Sequence, residues 1–252
     1  MCPDTTTAYV FIHGFGGYGA LWRAQKDYFA RLGRVHLVDL PGHGAAPWNG
    51  ERLADMALEV GETLDALDIR KAVFVASSFG GLVALALFQV RPELFRSMTL
   101  AGAVPCFTAG EKTSCGLSVE RIRTLRAQLE GDAPVILEMF FRSLFTRQER
   151  ESLAYATGKL WHKAMPVPAK ATLQAYLDIL AEADLRDILA RMTVPVQLIR
   201  GAEDYICPKP LVEAVKDICP SVQIDVMAGC GHLPFLSRPD EFNALVAEFH
   251  GL

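Results

Sequence analysis

Nowhere in its 252 residues does the chain run apolar for the roughly 18 positions that a helix needs to span a bilayer. Met1 to Thr5 lack the basic segment and apolar stretch of a secretory signal. The expectation is a soluble, cytoplasmic protein. Positive charge is not in excess: a net charge of −4 leaves no electrostatic footprint for a polyanion, which argues against a nucleic-acid partner. The six cysteines, at 2, 106, 115, 207, 219 and 230, form no C-x-x-C pair and no Cys/His spacing suited to zinc. No metal is expected, and in a reducing compartment these thiols behave as small buried hydrophobes. Repeats, low-complexity tracts and linkers are absent as well. What remains, 51% hydrophobic and 21% charged residues, excludes disorder and suits one large core, with or without a modest insertion.

The apolar runs are short. Ala8 to Ile12 reads as a buried strand that ends in the glycine-rich His13-Gly14-Phe15-Gly16-Gly17, and Val35 to Leu40 as a second that stops at Pro41-Gly42-His43-Gly44. Leu53, Met56, Ala57, Val60, Leu64 and Leu67 recur at helical spacing. A strand at 72–76, a helix from Phe79 to about Val90 and a strand at 98–101 follow. This alternation, with β-branched strands, predicts a mainly parallel sheet covered by helices on both faces. From about Pro105 to Leu189 it gives way to helical text: Val119, Ile122, Leu125 and Leu129 share one face, and Ile136 to Phe145 is strongly apolar. Residues 105–189 are thus expected to be a helical cap inserted in a core of 1–104 and 190–252. The core pattern resumes with strands at 194–199 and 222–227 and helices from about Pro210 to Ile218 and Pro239 to Phe249.

Ala76-Ser77-Ser78-Phe79-Gly80 joins a strand directly to a helix. A nucleophilic serine on such an elbow sits in a strained conformation and needs small residues two before and two after it. Ala76 and Gly80 meet that need for Ser78, whereas centring on Ser77 would put Val75 and Phe79 there. A serine hydroxyl needs a histidine base, held in the right tautomer by a carboxylate, and in this kind of fold the partners follow in the order Ser, acid, His on later loops. Gly201-Ala202-Glu203-Asp204 follows one later strand and Gly229-Cys230-Gly231-His232 the other. Asp204 suits a short reach toward the ring better than Glu203, which stays as the alternative. Catalytic roles therefore fall to Ser78, Asp204 and His232. Cys207 and Cys230 lie close in sequence but are displaced as nucleophiles by the serine. Backbone N–H groups of Phe15 and Phe79 are expected to form the oxyanion hole. The loop at 13–17 lacks the G-x-G-x-x-G spacing and Lys-Ser/Thr pair of a phosphate cradle, and His13 and His43 are expected to stabilise loops.

With these residues in hand, the chain resembles the α/β-hydrolases over nearly its whole length. More narrowly, it is similar to the BioH-type carboxylesterases that cleave the methyl ester of pimeloyl-acyl carrier protein in biotin synthesis. The resemblance rests on His13-Gly14-Phe15-Gly16, His36 to Gly42, Leu53 to Ala57, Ser78 to Ala84, Pro105-Cys106-Phe107, Asp184-Leu185-Arg186 and Gly231 to Phe235. It implies an α/β-hydrolase fold with no cofactor, and an acyl-enzyme route on a free or carrier-borne ester. The family's usual aromatic before the serine is Ser77 here, and its oxyanion-loop Trp is Phe15, so the acyl pocket is expected to differ in shape. The chain starts close to its first strand, leaving no room for a leading hairpin; about six strands are expected.

In that family an acidic carrier protein docks on basic cap residues. Between 121 and 163 this chain carries eight Arg and Lys, among them Arg121, Arg142, Arg147, Arg150 and Lys159, against Glu130, Asp132, Glu138, Glu149 and Glu151. That surplus suits either an acidic partner or a solvated helical face. Phe107, Phe140, Phe141, Phe145 and Trp161 are the expected pocket residues, as ligand pockets are largely apolar. The expected protein is a monomeric serine carboxylesterase. Two rivals stay open: carbon–carbon bond hydrolysis or a lyase on the same fold, and a non-catalytic ligand-binding relative.

Overall fold

The computed structural model describes residues 7–50, 52–109 and 115–251, so Cys2 and the first five residues read above lie outside the described part. Six strands form one sheet: β1 (Ala8–Ile12), β2 (Arg34–Val38), β3 (Ala72–Ser77), β4 (Phe95–Ala101), β5 (Val196–Gly201) and β6 (Gln223–Met227). Every pairing is parallel, in the order β2-β1-β3-β4-β5-β6. Burial explains the composition of each strand. β1, β3 and β5 are buried at every position and read as continuous apolar runs, whereas the edge strands β2 and β6 are mostly half-exposed.

The helices between them are α1 (Arg23–Phe29), α2 (Leu53–Ala66) and α3 (Phe79–Val90) before β4. Between β4 and β5 come α4 (Val119–Gln128), α5 (Ala133–Ser143), α6 (Leu153–Ala164), α7 (Lys170–Glu182) and α8 (Arg186–Ala190). The chain ends with α9 (Lys209–Ile218), α10 (Pro234–Ser237) and α11 (Pro239–Phe249). α3 is buried along nearly its whole length, which is why FGGLVALALFQV carries no charge. Three of the five helices between β4 and β5, which we call the cap from that position, start on side-chain oxygens: Ser118, Asp132 and Ser152 accept from the N–H groups of Arg121, Val135 and Tyr155. Leu185 N–H donates to Pro105 O at 2.8 Å, so the two ends of the helical stretch meet at its neck.

Several boundaries differ from the sequence reading, among them β5, which runs from Val196 to Gly201 rather than over 194–199. β4 starts at Phe95 rather than Met98 because the Phe95 ring stacks on Phe74 at 4.0 Å. β2 ends at Val38, and Asp39 turns to accept from Gly19 N–H at 2.7 Å. Helix α1 had no legible signal, since only Gln25 and Phe29 of its seven residues are buried.

Order and direction also determine where chemistry can occur. The chain steps from β1 outward to β2, then back across β1 to β3, so the connections leave the carboxyl ends of β1 and β3 in opposite directions. Such a switch point opens a crevice at the strand ends. The loops after β1 and β3 carry His13 to Gly17 and Ser78, and those after β5 and β6 carry Asp204 and His232.

Candidate active site

At the end of β3 the backbone of Ser78 takes φ 50° and ψ −121°, and Ser78 is one of two described non-glycine residues with positive φ. Such a conformation costs on the order of 1–3 kcal/mol and persists only where its surroundings impose it. They do so here: Ser78 N–H donates to Ala101 O at 3.0 Å, and its carbonyl accepts from Gly81 N–H at 2.9 Å. A Cβ on Gly80 would lie 2.4 Å from His13 O and 2.9 Å from Ile12 O, so only glycine lets the elbow close against the end of β1. Gly14 is similarly confined, its missing Cβ falling 3.0 Å from that of Ser78.

His232 Nδ1 and Asp204 Oδ2 are 2.8 Å apart, and both side chains are essentially inaccessible to solvent. Asp204 Oδ1 accepts from the N–H groups of Ile206 and Cys207, at 2.8 and 3.0 Å. Burial alone would raise the Asp204 pKa; the charge and hydrogen bond of His232, with those two N–H groups, outweigh it and hold the carboxyl below its usual range. An ionised Asp204 accepts the hydrogen bond from Nδ1–H, which leaves Nε2 as the ring's acceptor. Nε2 is buried and has no hydrogen-bond partner among the described residues, and His232 lines a small cavity together with Ser78. Glu203, the alternative acid, is exposed.

Two cavities meet at Ser78. One, of about 330 Å³, is lined by Phe15, Phe79 and Phe107 from the core and by Ile122, Leu125 and Phe140 from the cap, among others. The other, of about 30 Å³, has walls that include His13, Gly14, Phe141, His162 and His232. Ser78, Phe15 and Phe140 belong to both. The structure therefore brings Phe107, Phe140 and Phe141 to the cavities but not Phe145 or Trp161. Phe145, two residues past the end of α5, is buried in the cap against Phe141 and Tyr155. Trp161 is half-buried and packs away from the cavities, where Arg23 of α1 lies over its ring at 5.8 Å.

The basic cap residues separate. Lys159 pairs with Glu138 at 2.8 Å, and Arg121 lines the larger cavity with its guanidinium 4.5 Å over the Tyr205 ring. Arg142 and Arg147 are exposed, Arg150 is half-buried, and none of the three has an ion pair among the described residues. Glu149, counted in sequence among the acids facing them, is buried instead.

Three buried groups that sequence reasoning passed over, or only partly read, complete the site. His162 lines the small cavity, stacked on Phe141 at 4.2 Å, and burial lowers its pKa to about 4. His13 accepts the Leu40 N–H at Nε2 (2.9 Å) and donates from Nδ1 to Gly14 O (2.8 Å), with burial pressing its pKa to about 4; it ties the loop after β1 to the end of β2. His43, whose pKa burial and the neighbouring His13 lower to about 3, packs on Tyr176 of α7. Asp204, Cys207 and His232 offer donor atoms within 4.8 Å of one another, the spacing of a metal site. Those donors are already engaged, for burial pushes the Cys207 thiol well up and it donates to Gly102 O, while Nδ1 and Asp204 hold each other.

A serine on a strand–helix elbow, after parallel strands and ahead of an acid and a histidine on later loops, defines a class, and residues 9–245 match the model of the alpha/beta hydrolase family. The chain belongs to that family. Within it, the chain is 32% identical over 247 residues to the pimeloyl-[acyl-carrier protein] methyl ester esterase of Aeromonas hydrophila subsp. hydrophila, covering 96% of this chain and 94% of that one. Its counterpart in Yersinia pseudotuberculosis is 31% identical over 251 residues, with 98% and 95% covered. An esterase from Exiguobacterium antarcticum shares the fold with a TM-score of 0.89 at 22% identity, over 98% of this chain and 92% of that one.

Proposed function

We propose that the protein is a serine carboxylesterase that releases a small alcohol, methanol above all, from the ester of a medium-length acyl chain. The observation that carries this reading is the unequal pair of cavities meeting at Ser78. His232 must take the serine proton and return it to the leaving oxygen, so the alcohol belongs on the side that His232 lines. That side offers about 30 Å³, about two to three times the ~10–15 Å³ that one enclosed water needs. The acyl side offers about 330 Å³ with largely apolar walls, in the range of a pocket that takes a medium-length chain.

In this mechanism Ser78 Oγ attacks the ester carbonyl as His232 Nε2 removes its proton. The N–H groups of Phe15 and Phe79 hold the oxyanion; donors of this kind are each worth about 2.7–4 kcal/mol in typical deletions. Collapse expels the alcohol, protonated by His232, and leaves an acyl-serine. Water activated by the same imidazole then releases the acid. No step calls on a metal or organic cofactor.

The relatives' names supply part of the finer proposal, a pimeloyl methyl ester borne by an acyl-carrier protein; the resemblance drawn from the sequence adds an acidic carrier and a place in biotin synthesis. Arg142, Arg147 and Arg150, without ion pairs on the cap, would meet such a carrier, and a cytoplasmic, monomeric enzyme is part of this reading. The test is proton release from methyl, butyl and tert-butyl esters of one medium-chain acid. The methyl ester is expected to be turned over best, and kcat/KM to fall as the alcohol grows. Equal rates for the tert-butyl ester would overturn the assignment of the small cavity, and no turnover of any ester would end the esterase reading. Rescue of a biotin auxotroph lacking its pimeloyl-ester esterase tests the physiological step.

A further inference from the structure

The loop that carries His232 is held from the cap as well as from the core. Within the core, Glu203 N–H donates to Cys230 O at 3.0 Å. From the cap, Leu144 O accepts from His232 N–H at 2.7 Å, and Glu149 Oε2 accepts from Gly231 N–H at 2.9 Å. These are two successive N–H groups of the loop, taken by acceptors five residues apart in the cap. The fit is close, since a Cβ on Gly231 would fall 2.4 Å from Leu144 O and 3.1 Å from Glu149 Oε2. Glu149 is 7% exposed and makes no ion pair among the described residues. A carboxylate buried without a cation is costly unless N–H groups solvate it.

Part of the arrangement has a local explanation. Thr146 Oγ1 accepts from Glu149 N–H at 3.1 Å, and Glu149 Oε2 accepts from Thr146 N–H at 2.6 Å, which is a capping box at the short turn 149–151. A capping box is satisfied by those two bonds and is usually on the surface. Here the same oxygen also reaches a residue 82 positions later, next to the histidine, and that bond has no role in starting a turn.

We infer that Glu149 is a positioning residue for His232: its carboxylate, with Leu144 O, fixes the backbone of the histidine loop so that the imidazole stays between Asp204 and Ser78. The inference rests on His232 being the base. A displacement of the ring by about 1 Å is enough to cost on the order of 10²-fold in rate, whereas binding in the larger cavity does not depend on it. The effect therefore belongs in kcat rather than KM.

The test compares Glu149→Ala, Glu149→Asp, Glu149→Gln and Thr146→Val with wild type. Turnover of a methyl ester is normalised to the sites titrated by a fluorophosphonate, so that poorly folded molecules do not count. Gln keeps an acceptor oxygen at the right reach; Asp keeps the charge but is one methylene too short. Glu149→Ala and Glu149→Asp should lose about 10- to 100-fold in kcat per site with KM within twofold, and Glu149→Gln should retain at least a third of wild-type kcat. Thr146→Val, which breaks only the capping box, should lower the melting temperature and leave kcat per site within twofold. Loss of thermal stability alone in the Ala and Asp variants would overturn the inference, as would a Thr146→Val variant as slow as Glu149→Asp. If Glu149→Ala yields no folded protein, the Asp and Gln pair decides. Failure of the wild type to turn over the ester would instead refute the proposed function, so the two failures are distinct.

Discussion

Ser78, His232 and Asp204 carry the chemistry in the proposed mechanism, and single substitutions test each of them. Replacing Ser78 or His232 by Ala is expected to lower kcat by about 10⁴- to 10⁶-fold, and Ser78→Ala to abolish labelling by a fluorophosphonate. Steady-state kinetics with a methyl ester checks the first; a change below tenfold would mean that the wrong residues carry the reaction. Asp204→Asn should cost about 10⁴-fold, because an amide at that position favours the wrong imidazole tautomer. Gly80 answers to packing instead. Its Cβ would stand 2.4 Å from a carbonyl oxygen of the core, so Gly80→Ala should lose at least about 1–3 kcal/mol of stability, measured by urea unfolding, with activity falling as the elbow distorts.

Among the elements, α7 and the cap turn after α5 link the sheet to the substrate walls. Tyr176 of α7 donates its hydroxyl to Pro41 O at 2.7 Å, in a buried position where its ring packs on Phe79, His43 and Trp48. Tyr176→Phe keeps the ring and removes the bond, so it should cost about 0.5–1.5 kcal/mol, seen as a melting shift of a few degrees. The charge on the other side of the cap is tested separately. Arg142→Glu with Arg147→Glu should raise KM for a carrier-borne ester at least fivefold more than for the free methyl ester, with the difference shrinking at high salt, as steering by exposed charge does. An equal effect on both substrates would place the carrier elsewhere.

Over the whole molecule, buried histidines set the response to acid. His13, His162 and His250 have pKa values lowered to about 4, and His43 to about 3, in each case chiefly by burial. His250 sits between Ser97 and Thr99 hydroxyls, at 2.7 and 2.9 Å. These rings are neutral in the folded state and take up a proton on unfolding below about pH 6.5. The unfolded chain then binds more protons, so stability is full above pH 6.5 and falls as pH drops toward 4. Each histidine contributes up to about 1.4 kcal/mol per pH unit. Asp204, with its lowered pKa, acts in the same direction at still lower pH. Melting temperature measured from pH 7.5 to 4 should decline steeply, and His250→Gln should shallow the slope without touching the active site. A flat profile down to pH 5 would contradict the burial of these rings.

The sequence by itself determined the strands that are buried on both faces, the elbow around Ser78 and the order of serine, acid and histidine. Each of these is written in neighbouring residues: an apolar run, small residues flanking a serine, a glycine-rich loop after a strand. Parallel pairing follows from the alternation of strand and helix. Helix α1 escaped because it buries too few residues to show a period. The bond between Asp204 and His232, the unequal cavities and the fate of the cap's aromatics were decided only by the tertiary structure. Phe140, Phe141 and Phe145 read alike in sequence, but tertiary packing sends the first two to the cavities and the third into the cap. Glu149 makes the same point: in sequence it is one acid among basic residues, and only the approach of Gly231 from 82 positions away turns it inward. Bonds and volumes made between distant segments have no local signature, because they exist only once the sheet has brought those segments together.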